Sequence, residues 1–177
     1  MKAADILVAV KHSNPGAALV PELVIYDPAV VAANAAYHRE IWPRYGRDVP
    51  PLTLDQWDIV YNGEPYQRRI DALMIRAGQR TAIEVKISRA DFRRETPEKR
   101  RAWHAVCHRF VYAVPEGLIQ PDEVPDGCGL WWITGLHARV VKKAQVTKSP
   151  DPLPEQITTA LMHRVSRTTW PINRGAA

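Results

Sequence analysis

Asp71, Glu84 and Lys86 are the residues whose types and spacing could do chemistry. Asp71 stands in an apolar run with Ile70, Ala72, Leu73, Met74 and Ile75, and Glu84 and Lys86 alternate with Ile83, Val85 and Ile87. Residues two apart on a strand share a face, roughly 6.5–7 Å along it. Ile83, Val85 and Ile87 can therefore face a core while Glu84, Lys86 and Ser88 face away together. Gly78-Gln79, between the two runs, reads as a hairpin turn. Antiparallel pairing of 68–76 with 81–88 would then bring Asp71 close to Glu84 or Lys86. Two carboxylates and an ammonium on neighbouring strands could hold a divalent cation and an activated water, a combination suited to phosphodiester hydrolysis.

A bare Glu-x-Lys arises about once by chance in a chain of this length, and its ordinary meaning is a solvated face of a half-buried strand. Three features raise it above that. An Asp lies in the preceding strand, 12 residues separate it from Glu84, and a basic segment follows at Arg89. Ser88-Arg89-Ala90-Asp91 has capping-box spacing, and Thr96-Pro97 restarts a helix with Thr at the N-cap and Pro at the first position. At 100° per residue, Lys99, Trp103, Val106 and Phe110 fall on one stripe, with Ala102 and Cys107 flanking it, and that stripe should pack on the sheet.

The run Arg69-Ile70-Asp71…Ile83-Glu84-Val85-Lys86-Ile87-Ser88-Arg89-Ala90-Asp91-Phe92 resembles the core of the PD-(D/E)XK nuclease superfamily, and within it the MmcB-like group of DNA repair proteins. The resemblance extends through Lys99 and Cys107–Pro115 to Gly129-Leu130 and back to Pro21-Glu22-Leu23, about two thirds of the chain. Ile70 replaces the Pro of the superfamily's first motif, and the segment 28–65 has no counterpart in it. The fold implied is α/β, a restriction-endonuclease-like core with a central mixed β-sheet flanked by helices. The resemblance also implies that Asp71 and Glu84, with the Val85 carbonyl, hold Mg²⁺ (Mn²⁺ able to substitute), and that Lys86 orients or helps deprotonate the attacking water. A Lys beside two carboxylates stays protonated unless desolvation opposes them, which favours positioning and charge stabilisation over a free-base role. Glu22 is a candidate fourth acid, with Glu40 and Glu64 as rivals and a solvated strand residue as the plain alternative. Lys99 is either a snorkelling side chain or a second catalytic or phosphate-binding lysine, the role the resemblance supports.

Between Arg89 and Arg109 there are seven Lys/Arg against three acids, and Arg139–Lys148 has four basic residues and no acid. Phosphate contacts by such residues supply most non-specific DNA affinity. Arg89, Arg93, Arg94, Arg100 and Arg101 are therefore expected to meet DNA. The net charge of +5 is modest evidence in the same direction. His104-x-x-Cys107-His108 invites a zinc reading, but structural zinc takes four clustered ligands. Cys107 falls on the core side and Cys128 has no CxxC partner, so a surface His pair beside a buried Cys is expected. No Gly-rich phosphate loop, Gly-x-Ser-x-Gly or His-Glu-x-x-His occurs.

With 177 residues, 46% of them hydrophobic and 24% charged, a single domain spanning 1–177 is expected. Two Cys make no disulfide framework, which suggests the cytoplasm. Ile6–Val10 is too short for a signal peptide core, and no run approaches a membrane span. Helices are expected at Ala3–His12 and Val30–Trp42 and strands at Leu19–Tyr26, 68–76, 81–88 and Phe110–Val114. A hairpin is expected at Leu130–Thr134 and Ala138–Ala144, followed by a closing helix at 154–167. The insertion at about 28–65, with a turn at Asn62-Gly63, interleaves Tyr37, Trp42, Tyr45, Trp57, Tyr61 and Tyr66 with arginines. This is a pattern for stacking unpaired bases or for a satellite core. Of Trp131 and Trp132, one should be core and the other exposed. The function expected is a Mg²⁺-dependent DNA nuclease of repair type, with an endonuclease favoured and a homodimer left open. A non-catalytic DNA-binding accessory protein and an RNA-processing nuclease are the alternatives.

Overall fold

The computed structural model describes residues 1–45 and 67–169. Trp57, Tyr61, Tyr66, Glu64 and the Asn62-Gly63 turn lie outside the described residues, as do the side chains of Trp42 and Tyr45. The elements run α1 (Ala3–Ser13), β1 (Ala18–Tyr26), α2 (Pro28–Tyr45), β2 (Gln67–Arg76), β3 (Gln79–Val85), α3 (Arg89–Arg93), α4 (Pro97–Val106), β4 (Arg109–Pro115), β5 (Gly129–Thr134), β6 (His137–Lys142) and α5 (Glu155–Thr169). The described strands form one six-stranded sheet in chain order. β1–β2, β2–β3 and β5–β6 pair antiparallel, while β3–β4 and β4–β5 pair parallel. The sheet is therefore mixed, with helices on both faces, as the sequence predicts. Among the described residues no helix is long and apolar enough to cross a membrane.

A parallel pair needs a crossover, and α3 and α4 supply it between β3 and β4. α4 buries Ala102, Trp103 and Val106 against Leu23, Ile70, Ala82, Phe110 and Tyr112, and Ile157 of α5 joins the same core. On the opposite face Ile6, Ala9 and Val10 of α1 cover Ala72, Met74, Ile83, Val85 and Ala113. The predicted stripe is met by Trp103 and Val106, but the helix stops at Val106 and Phe110 belongs to β4. The β2–β3 turn is Ala77-Gly78, one residue earlier than expected. Both residues have positive φ, 48° and 76°, the two-residue hairpin geometry that matches strand twist. Trp131 and Trp132 are both half-buried, so neither is the exposed contact expected. The Trp132 indole N–H donates to the Ile119 carbonyl at 2.9 Å, and Arg139 lies 5.1 Å over its ring.

The outer part of the sheet carries a break that places the chemistry. Ile70 and Leu73 point into one core while Ala72 and Met74 point into the other. Strict alternation forbids that arrangement, so β2 slips by one residue between Ile70 and Leu73. β1 does the same, since Leu23 and Val20 share a core three residues apart. The register stays even across the break, with Pro21 opposite Ala72 and Leu23 opposite Ile70. Glu22, at φ 51°, absorbs the irregularity in β1. This is left-handed backbone that costs an L-residue of order 1 kcal/mol or more.

Asp27 pins the neighbouring corner. Its buried carboxylate accepts from the Ala29 N–H at 3.0 Å at the start of α2, from Arg68 Nε at 2.9 Å and from Arg101 Nη2 at 2.9 Å. It thereby ties α2 to β2 and α4.

Candidate active site

The ladder between β2 and β3 runs from Arg76–Gln79 to Ala72–Ile83. One step further, the same register sets Asp71 opposite Glu84. There β2 leaves the ladder, and the Asp71 side chain replaces the missing carbonyl: its Oδ2 accepts the Val85 N–H at 2.7 Å. Glu84 lies on the face covered by α3 and α4, since its strand neighbour Ala82 packs in that core. It pairs in register with Tyr112. The Lys86 ammonium is buried with its Nζ 2.8 Å from Glu84 Oε1, 2.9 Å from Glu95 Oε2 and 3.7 Å from Asp91 Oδ2. Asp71, Glu84 and Lys86 are thus brought together.

Ser88 caps α3 by accepting the Asp91 N–H at 3.1 Å. The Asp91 carboxylate leans towards Lys86 and towards Arg94, 3.4 Å away. Thr96 stands at the N-cap of α4 with Pro97 after it, but its side chain makes no cap hydrogen bond. The two short helices are joined tightly: the Glu95 N–H donates to Phe92 O at 3.0 Å and Lys99 Nζ to Arg94 O at 2.7 Å. This joint turns Glu95 inward, where its side chain is only 6% exposed. Sequence reasoning missed Glu95 and gave Asp91 a capping role alone. Their spacing from Lys86 crosses a strand end and a helix turn, which no single periodicity reports.

A cavity of about 220 Å³ opens over the site. Glu84, Lys86 and Glu95 line it together with the basic Arg69 and Lys99 and the aromatic Trp103 and Phe110, whereas Asp71 does not line it. Lys99 is exposed and lines the cavity, with its ammonium on the Arg94 carbonyl. Glu22 is exposed and sits across β1 from Asp71 in register, but it does not line this cavity. Its carbonyl receives Arg164 Nη2 of α5 at 2.9 Å. Glu40 is exposed on α2.

Burial and the charge of Asp71 push the Glu84 carboxyl up to about 7. Burial also raises Asp71, against the opposing pull of the Val85 N–H and Lys86. For Lys86 burial works against the charge, yet Glu84 and Glu95 outweigh it and hold the ammonium above its ordinary value. Two carboxylates, Asp71 and Glu84, thus resist ionisation beside one secure cation. Among the described residues no group of three or more His, Cys, Asp or Glu side chains is arranged to hold a metal ion.

The basic residues divide. Arg93 is exposed, and the Arg94 side chain is 75% exposed. Arg89 is exposed and paired with Glu123 at 2.6 Å, and Arg101 is half-exposed and held by Asp27. Arg100 corrects the expectation. It is buried and its Nη1 lies 3.3 Å from the Tyr112 hydroxyl, because its position on α4 neighbours the apolar stripe and faces the sheet. The His pair is corrected too. His104 stacks on Phe110 at 5.0 Å and lies 3.5 Å from Cys128 Sγ, while His108 Nδ1 accepts the Arg80 N–H at 3.0 Å. Cys107 is buried as expected, its thiol pushed up to about 12 by burial.

No family model matches the chain, and no curated protein matches it. A solved structure does: the SPO1766 protein of unknown function from Silicibacter pomeroyi, similar over 98% of this chain and 93% of its own at 18% identity and a TM-score of 0.51. The likeness is one of fold.

Proposed function

We propose that the cavity beneath α3 and α4 is the active site of a Mg²⁺-dependent deoxyribonuclease of PD-(D/E)XK type, an endonuclease serving DNA repair or recombination. The reading rests on one observation. The β2–β3 register sets Asp71 against Glu84, with Lys86 joined to Glu84, and Glu84 and Lys86 line a cleft together with the basic Arg69 and Lys99. The donors suit a hard ion, since Mg²⁺ takes oxygen ligands and keeps several waters, so that two carboxylates and a substrate phosphate suffice. Glu84, held near neutrality by burial and by Asp71, is a carboxylate short of positive charge. Asp71, Glu84 and the Val85 carbonyl would hold the ion. In extended backbone a residue's N–H and carbonyl share one edge of the strand, and the Val85 N–H is already on Asp71. When bound, the ion lowers the pKa of its water and stabilises charge on the phosphate oxygens.

The protein's own side chains do the rest. Lys86, kept protonated by Glu84 and Glu95, orients the attacking water and offsets charge building on the phosphate. It does not serve as a base. Arg69 and Lys99 also line the cleft and would hold the flanking phosphates. Arg93 and Arg94 extend the basic surface beside them. Two buried free thiols, Cys107 and Cys128, suit a reducing cytoplasm.

The test is incubation of purified protein with supercoiled, linear, single-stranded and branched DNA in Mg²⁺, Mn²⁺ or EDTA, beside Glu84→Ala. Metal-dependent cutting by the wild type that Glu84→Ala lacks is expected. Salt-sensitive binding without cutting in any metal would replace the nuclease by a DNA-binding accessory protein. Full cutting by Glu84→Ala would remove the site from the cleft.

A further inference from the structure

The Lys86 ammonium stands where it obstructs the use just proposed for Glu84. At 2.8 Å from Oε1, it occupies one of the two carboxylate oxygens that an ion could use. We infer that Glu95 is a positioning residue that takes the Lys86 ammonium over from Glu84, leaving Glu84 able to accept a divalent cation. The inference rests on the metal-site reading above.

Glu95 is placed for this role. Its Oε2 is 2.9 Å from Lys86 Nζ, nearly the same distance as Glu84 on the other side. The ammonium is therefore shared between two carboxylates and can shift to one without leaving its pocket. A buried carboxylate is costly unless it is paired, and Glu95, with its side chain 6% exposed, is paired with Lys86. The backbone on either side is held by Glu95 N–H to Phe92 O and Lys99 Nζ to Arg94 O, so the acceptor stays in place while the ammonium moves. Asp91, at 3.7 Å with its side chain 39% exposed, is too distant and too wet to substitute. Without Glu95 the ammonium would settle on Glu84, and an incoming ion would have to break the stronger pair.

Isothermal titration of Mn²⁺ into the DNA-free protein tests this with wild type, Glu95→Gln, Glu95→Asp, Lys86→Met, the Lys86→Met/Glu95→Gln double variant and Glu84→Ala. Glu95→Gln should weaken Mn²⁺ binding about tenfold, as expected for strengthening one competing charge pair. Glu95→Asp, which keeps the anion, should recover most of that. With Lys86→Met there is no ammonium to hold back, so adding Glu95→Gln should cost less than about threefold, the residue of its charge alone. An undiminished loss in the Lys86→Met background would make Glu95 a metal ligand and overturn the inference. So would unchanged affinity in Glu95→Gln. Absence of Mn²⁺ binding by the wild type, or wild-type affinity in Glu84→Ala, would instead sink the metal-site reading and this inference with it. Thermal melts of each variant separate loss of binding from loss of fold.

Discussion

Two buried charge clusters lie against α4, and they are built in opposite ways. Around Asp27 one carboxylate meets two guanidiniums, Arg68 and Arg101. Burial would raise its pKa, but the two arginines and the Ala29 N–H outweigh that and hold Asp27 below the usual carboxylate range. Around Lys86 one ammonium meets Glu84, Glu95 and Asp91, with Asp71 beside them. There the carboxylates of Asp71 and Glu84 are raised and the cation is the secure member. The first cluster is electrostatically satisfied within the fold and serves as a clamp. The second is short of positive charge, and it opens into a cleft. A structural ion pair and a candidate catalytic one are thus told apart by the sign of the imbalance and by access, since burial is common to both.

The sharpest way to break the comparison is Asp27→Ala. Removing Asp27 breaks its buried ion pair with Arg68, 4% exposed, and a loss of about 3–5 kcal/mol is expected in denaturant unfolding. A loss below 1 kcal/mol would show that the cluster is not a clamp.

The next largest effect is one of pH. The Glu84 carboxyl is raised from 4.5 to about 7, so between those values the folded protein holds a proton that the unfolded chain releases. Metal-free stability should therefore fall as pH rises from about 5 to about 7, by roughly 1–3 kcal/mol, and Glu84→Gln should flatten that decline. Asp27 has the opposite sign. Its lowered pKa contributes stability that is present above the unfolded value and lost as pH falls below about 4, and Asp27→Asn should flatten that acid limb alone. Urea titrations from pH 3 to 8 on the three proteins measure both limbs. A rise in wild-type stability from pH 5 to 7 would contradict the imbalance at Glu84.

The smallest effect concerns the exposed rim. Arg93→Ala with Arg94→Ala should leave Mn²⁺ binding intact and reduce the slope of log affinity for DNA against log salt by about 2. An unchanged slope would take the DNA off this side of the cleft.

Much of the fold was legible in the residues. Ile83 and Val85 flanking Glu84 mark a strand, although it ends at Val85 and leaves Ile87, expected in the core, 48% exposed; Ser88 and Pro97 mark helix starts, and Ala102, Trp103 and Val106 mark the buried face of α4. Arg100 shows where one-dimensional reading failed. Its charge suggested solvent, whereas the helix phase set by Trp103 turned it onto Tyr112. The Ala77-Gly78 turn was displaced by one residue because Ala77 adopts positive φ, which alanine composition does not advertise.

By itself the sequence determined local matters: which segments extend or coil, and that Asp71, Glu84 and Lys86 could share a strand pair. These follow from periods of 2 and 3.6 residues and from capping chemistry, all set within a few positions of the chain. Only the tertiary structure decided the rest. The slip at Glu22 and Asp71 arises where two strands break together, and it put the Asp71 carboxylate on the Val85 N–H. The joint between α3 and α4 swung Glu95 onto Lys86. Those contacts depend on how separate elements meet in space, and no local pattern in the chain encodes that meeting.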